Sequence, residues 1–275
     1  RGMNISLCVG PTGRNMVSVN LAAYHGRADV VKLLHELRAD RNTPDENGHT
    51  PAHAAAEPGH TETIRTLCKL GADINTLDKC GWSPVWIAAN FGHVDAIRLL
   101  CEFGADVNTP DKNSVTPVFT AAFQGHVETI RLLCGAGAYV NTPRKNSTTP
   151  VSAAADHGHV EAIRTLCELG ADVNTPEQDG HTPVYGTPQT SHPKAIRVLW
   201  ELGADINTPD LCGHTPVWTA ACDGHAEAIR TWEPISMPLS SMAALLCTQR
   251  LEKVTWRLFV YSASWERTTP LTRMA

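Results

Sequence analysis

Positive charge is not in excess in this chain: 23 Lys and Arg stand against 28 Asp and Glu, a formal charge of -5 with its 13 histidines neutral. Phosphate backbones and anionic membranes are held through an excess of basic groups, so no nucleic acid and no membrane surface is expected as partner. No apolar run approaches the roughly 18 residues a spanning helix needs, and no signal-peptide pattern is present. Catalytic framing is equally scarce. The serines and cysteines lie in no nucleophile elbow, Gly-rich phosphate loop, HExxH helix or paired catalytic-acid motif. A nucleophile needs a base within about 3 Å and a third group to orient it. The expectation is a chain with no catalytic residues, no cofactor and no metal.

CxxC pairs are absent too, although there are nine cysteines. Four of them, Cys68, Cys101, Cys134 and Cys167, are evenly spaced. If they sit on successive stacked helices, those helices lie about 8 to 10 Å apart, whereas a disulfide needs alpha carbons within about 7 Å. The ladder therefore reads as buried small hydrophobes, with a redox-responsive thiol as the lesser alternative. An odd total without CxxC points to a reducing, intracellular setting, cytoplasm or nucleus.

What the chain does have is a period. Pro51, Pro84, Pro117, Pro150, Pro183 and Pro216 each follow Thr or Ser and recur every 33 residues. Asp45, Asp78 and Asp111 open successive units, and Arg144, Glu177 and Asp210 continue the series. A fixed period of this length marks a repeat architecture, in which neighbouring units bury a shared core. The segments HTPAHAAAEPGHTETIRTLCKLGADIN (49–75) and TTPVSAAADHGHVEAIRTLCELGADVN (148–174) carry a Thr-Pro, an Ala-Ala, a Gly-His, a helical Ile-Arg-Thr-Leu and a closing Gly-Ala-Asp-x-Asn. In these features the chain resembles the ankyrin repeat family over residues 12–233. The resemblance implies an all-α fold, an ankyrin-repeat solenoid of stacked helix-turn-helix units with hairpin-like fingers. It also implies binding of a protein or peptide by finger tips and the concave helix face.

The expected organisation is a short segment 1–11 and seven repeats at 12–44, 45–77, 78–110, 111–143, 144–176, 177–209 and 210–233, the first worn and the last truncated. Residues 234–275 form either a cap or a disordered tail. Within a repeat, Thr50 before Pro51 reads as an N-cap followed by a proline at N1. Gly59, Gly92, Gly125 and Gly158 end the first helix in a left-handed conformation, and Gly71, Gly104, Gly137 and Gly170 end the second. Ile97, Leu100 and Cys101 face the core while Arg98 points away. Glu128 with Arg131, and Glu161 with Arg164, are placed to pair three apart. Repeat six breaks the pattern with Gly186, Thr187, Pro188 and Ser191. Because proline in a helix interior costs about 3 kcal/mol, its first helix is expected to be shortened or replaced by loop, making a fraying point or hinge.

The recurring Gly-His (His60, His93, His126, His159 and His225, with His192 after Ser191) reads as structural hydrogen bonding, since histidines a repeat apart cannot converge on one ion. Trp86, Phe119, Ser152, Tyr185 and Trp218 stand where His53 keeps the family histidine, either filling volume or reaching the concave face. The residues expected to touch a partner are those that vary while the scaffold stays fixed. At the finger tips these are Glu46, His49, Lys79, Trp82, Lys112, Val115, Lys145 and Thr148. On the neighbouring helix face they are Glu57, Asn90, Phe91, Phe123, Gln124, Asp156 and His157. The favoured function is a non-enzymatic, monomeric interaction scaffold. The alternative is the targeting or substrate-recognition region of a larger enzyme such as a ubiquitin ligase or kinase.

Overall fold

The structure, a computed structural model, describes residues 8–9, 15–16, 18–189 and 192–222. Two short strands, β1 (Cys8–Val9) and β2 (Asn15–Met16), pair antiparallel. Helices follow in pairs: α1 (Ser18–Tyr24) and α2 (Ala28–Glu36), α3 (Pro51–Ala56) and α4 (Thr61–Lys69), α5 (Pro84–Phe91) and α6 (Val94–Glu102). They continue with α7 (Pro117–Gln124) and α8 (Val127–Gly135), α9 (Pro150–Asp156) and α10 (Val160–Glu168), α11 (Pro183–Gln189) and α12 (Pro193–Glu201), and end on α13 (Pro216–Cys222). Odd-numbered helices pack on one another in series to form one layer, and even-numbered helices α2 to α12 form a second. The seventh pair beyond Cys222, with His225, Trp232 and Pro234, and the expected cap or tail at 234–275 lie outside the described residues.

Each helix of six to nine residues is too short to persist alone in water, so its ends and its neighbours hold it. Ser83, Thr116 and Thr149 accept the amide of the residue three on at 3.2, 3.3 and 3.3 Å, and a proline follows each. Gly92 and Gly125 cap α5 and α7 with φ of 72° and 75°. These two glycines are needed for a second reason. A Cβ on Gly92 would lie 2.9 Å from the His126 ring, and one on Gly125 2.6 Å from the His159 ring. The histidine of one repeat thus seats over the glycine of the repeat before it and donates from Nε2 to a carbonyl there: His93 to Glu57, His126 to Asn90 and His159 to Phe123, at 3.0 to 3.1 Å. The Gly-His pairs are an interlock between repeats.

The core runs unbroken between the layers. Ala88 and Ala89, with Ala121 and Ala122, are fully buried and let the helices of the first layer approach closely, while Ile97, Leu100, Ile130, Leu133, Ile163 and Leu166 fill the second. The cysteine ladder is half-buried at the margin of this core rather than inside it. Loss of hydration pushes the Cys68 and Cys167 thiols up to about 11 and raises those of Cys101 and Cys134. A protonated thiol is a poor nucleophile, which argues against the redox alternative. The closing asparagines are staples: Asn108 donates to Gly137 O at 3.0 Å and accepts from the Tyr139 amide at 2.9 Å, and Asn75, Asn141 and Asn174 repeat the pattern.

Two expectations need correction. Arg131 and Arg164 do not close on the glutamates three residues before them but reach the next repeat, to Glu168 at 3.0 Å and Glu201 at 2.8 Å. Partly exposed pairs of this kind contribute about 0.2 to 1 kcal/mol. In repeat six α11 stays helical from Pro183 to Gln189, through Pro188. In so short a helix, Pro188 forfeits one amide, and the buried Val184 and Tyr185 still anchor the turn before it.

Candidate partner-binding face

Each finger is a tight turn organised by an acidic side chain. Asp45 Oδ1 accepts the amides of Asn47 and His49, Asp78 those of Cys80 and Trp82, and Asp111 those of Asn113 and Val115, all at 2.7 to 2.8 Å. In the fifth repeat Arg144 replaces the aspartate, and Asn146 Oδ1 takes over by accepting from Arg144 Nε at 2.7 Å and the Thr148 amide at 3.3 Å. The fingers are joined in a row by one amide-to-carbonyl bond each: Lys79 to Asn47 (2.9 Å), Lys112 to Cys80 (3.2 Å) and Lys145 to Asn113 (3.0 Å). That row places Lys79, Lys112 and Lys145 in register with their side chains exposed, beside exposed Glu46 on the preceding tip.

His49 and Thr148, expected at the tips, are instead buried. His49 Nε2 lies 2.9 Å from Asp78 Oδ2, and Thr148 Oγ1 donates to Glu177 Oε2 at 2.9 Å, so both are spent on the next finger. The fifth residue of each of these fingers is buried or half-buried rather than turned outward. Trp82 is half-buried and stacked on Trp86 with ring centroids 4.6 Å apart, and Val115 is half-buried with its carbonyl accepting the Trp86 indole at 3.0 Å. These two belong to the finger base more than to its tip.

On the helix face, Phe91 is 50% exposed and Phe123 38%. The Phe123 ring tilts against exposed His157 at 4.2 Å, and Gln124 beside it is exposed. Asn90 is half-buried, its Oδ1 accepting from Thr120 at 3.0 Å and Gln124 at 3.1 Å. Glu57 is half-buried at the same level of α3. Asp156 is half-buried against α11, where the absence of a Cβ on Gly186 leaves room for its carboxylate. Burial, then the Glu177 charge, push its carboxyl up to about 6 against the opposing pull of His157, Arg144 and His181.

The sequence profile of ankyrin repeats, in three copies, matches residues 12–78, 70–144, 110–177 and 136–210. The chain belongs to the ankyrin repeat family. No curated protein matches it by sequence. Among solved structures, the crystal structure of the human ASB11 ankyrin repeat domain is similar at a TM-score of 0.74 and 24% identity, covering 81% of this chain and 99% of that one. Such a likeness bears on the fold. The ankyrin fold is typically non-catalytic and serves protein-protein interaction, and among the described residues no helix is long and apolar enough to cross a membrane.

Within that ankyrin frame, the aromatic substitutions have a role the sequence did not reveal. His53 Nε2 donates to Trp82 O at 2.9 Å, Trp86 Nε1 to Val115 O at 3.0 Å, and the Tyr185 hydroxyl to His214 O, each 29 residues on. Three different donors make one inter-repeat bond. With Trp86, Phe119 and Tyr185 all buried, the rings are staples and filler. Arg144, its guanidinium 5.7 Å from the centre of the Phe119 ring, adds a cation-π contact at the same level.

Proposed function

We propose that this ankyrin chain is a non-enzymatic binding scaffold that takes a protein or peptide across the second to fifth repeats. The finger row Glu46, Lys79, Lys112 and Lys145 would meet polar or acidic groups of the partner, and Phe91, Phe123, Gln124 and His157 would form the apolar centre. The observation that carries this reading is the pair of exposed phenylalanines beside a surface otherwise fixed by inter-repeat bonds. Partly exposed aromatics ringed by polar groups are the usual anchors of protein interfaces. Free thiols at Cys68, Cys80, Cys101, Cys134, Cys167 and Cys212 accord with a reducing, intracellular setting. Segments 1–11, 12–233 and 234–275 stand as the proposed domain division, with a single copy as the working unit.

Charge reversal at the tips tests the finger half of the proposal. Lys79→Glu with Lys112→Glu should weaken capture of a partner from native lysate, more at low salt than at high, because rim charges act through screened Coulomb attraction. Unchanged capture at both salt concentrations would remove the fingers from the site.

A further inference from the structure

The seventh finger differs from the others in what surrounds its aspartate. Asp210 Oδ1 accepts the amides of Cys212 and His214 at 2.8 Å each, the same turn that Asp78 makes with Cys80 and Trp82. The difference lies at Oδ2. At Asp78 one imidazole, His49, closes to 2.9 Å, a hydrogen bond. At Asp210 two imidazoles stand further off, His181 Nε2 at 3.6 Å and His214 Nδ1 at 3.5 Å, around a side chain only 8% exposed. The donor atoms of Asp210, Cys212 and His214 all lie within 4.8 Å of one another. Both rings are held in place: His181 stacks on Tyr185 at 4.2 Å and His214 on Trp218 at 3.6 Å, each nearly parallel.

Separations of 3.5 and 3.6 Å are long for nitrogen-to-oxygen hydrogen bonds. The 3.5 Å of the His214 pair matches donors sharing one tetrahedral ion, since ligand bonds of about 2.0 to 2.3 Å set neighbouring donors about 3.3 to 3.8 Å apart. The geometry points to a tetrahedral zinc-class site made by Asp210, Cys212 and His214 of the seventh finger, its fourth position left to solvent, with His181 of the sixth resting against the liganding carboxylate. Thiolate and imidazole donors select zinc over magnesium or calcium. One carboxylate and one thiolate, the latter formed by release of the Cys212 proton, balance the charge of a divalent ion. Cys212 is exposed, so an ion reaches it from solvent. The Cys80 finger lacks this chemistry, because Trp82 stands in place of His214 and His49 already occupies Asp78. A bound ion would fix the seventh finger, against which His181 of the sixth already rests.

The test is titration of the full chain with Co²⁺ and with Zn²⁺ in a non-chelating reductant. The expected result is one ion per chain with a thiolate-to-cobalt charge-transfer band that Zn²⁺ abolishes. Cys212→Ser should lose the band, His181→Gln should weaken binding by about tenfold or more, and Cys80→Ser should behave as wild type. Circular dichroism of each variant separates loss of binding from loss of fold. No stoichiometric binding by folded wild type, a band that survives Cys212→Ser, or equal loss in Cys80→Ser would overturn the site. Unchanged affinity in His181→Gln would overturn the support given by the sixth finger.

Discussion

Alanine in place of Gly125 perturbs two things at once. The residue sits at φ 75°, a left-handed conformation that costs an L-residue about 1 to 2 kcal/mol. Its new Cβ would also lie 2.6 Å from His159 Nδ1, forcing the ring off the Phe123 carbonyl that it meets at 3.1 Å. Loss of that bond adds about 0.5 to 1.5 kcal/mol, so Gly125→Ala alone should cost about 1.5 to 3.5 kcal/mol. Once His159→Ala has removed the ring, the same glycine substitution should cost only its backbone part. The double variant should therefore be more stable than the sum of the single losses predicts, by about 0.5 to 1.5 kcal/mol. Urea unfolding of all four proteins gives this coupling energy directly. Additivity within about 0.3 kcal/mol, the behaviour of independent sites, would refute the interlock.

Leu100 is fully buried and Arg98 exposed on the same helix. Leu100→Ala should cost about 2 to 5 kcal/mol, Arg98→Ala less than about 0.5, and equal small losses in urea unfolding would deny the second-layer core. His53 is held down to about 4, first by burial and then by the His49 charge, against opposing pulls from the Trp82 carbonyl and nearby aspartates. Its folded value lies below the unfolded 6.5, so the unfolded chain takes up a proton that the native one refuses. Stability should fall between pH 6.5 and 4 by about 3 kcal/mol at most, and His53→Gln should flatten that slope in unfolding measured across the window. Asp156 runs the other way. Its raised folded value means that stability is lost as pH rises through about 6, so Asp156→Asn should raise the melting temperature at pH 7.5 and leave it unchanged at pH 4.

The repeated proline and the Gly-His were enough to read the scaffold because each repeat solves the same packing problem with the same residue types. Gly92 and Gly125 announced left-handed caps, and the structure supplied the reason for the His that follows: it belongs to the neighbouring repeat's glycine. The site was less legible. Variation alone cannot separate an outward tip from one bonded to the next finger, which is why His49 and Thr148 read as contacts although they are buried. The difference depends on hydrogen bonds spanning 29 residues, invisible to any local pattern. Pro188 misled for a related reason. Helix propensity counts a lost amide, while α11 is held by tertiary burial of Val184 and Tyr185.

The central claim, that recognition lies on the exposed aromatic face of a fixed ladder, is tested most directly by comparing three folded proteins in quantitative capture from native lysate. These are wild type, Phe91→Ala with Phe123→Ala, and Arg98→Ala with Arg131→Ala on the outer helices. The account predicts a partner held by wild type and by the outer-helix variant, and lost or weakened about tenfold or more by the phenylalanine variant. Equal capture by the phenylalanine variant, or selective loss in the outer-helix variant, would contradict it.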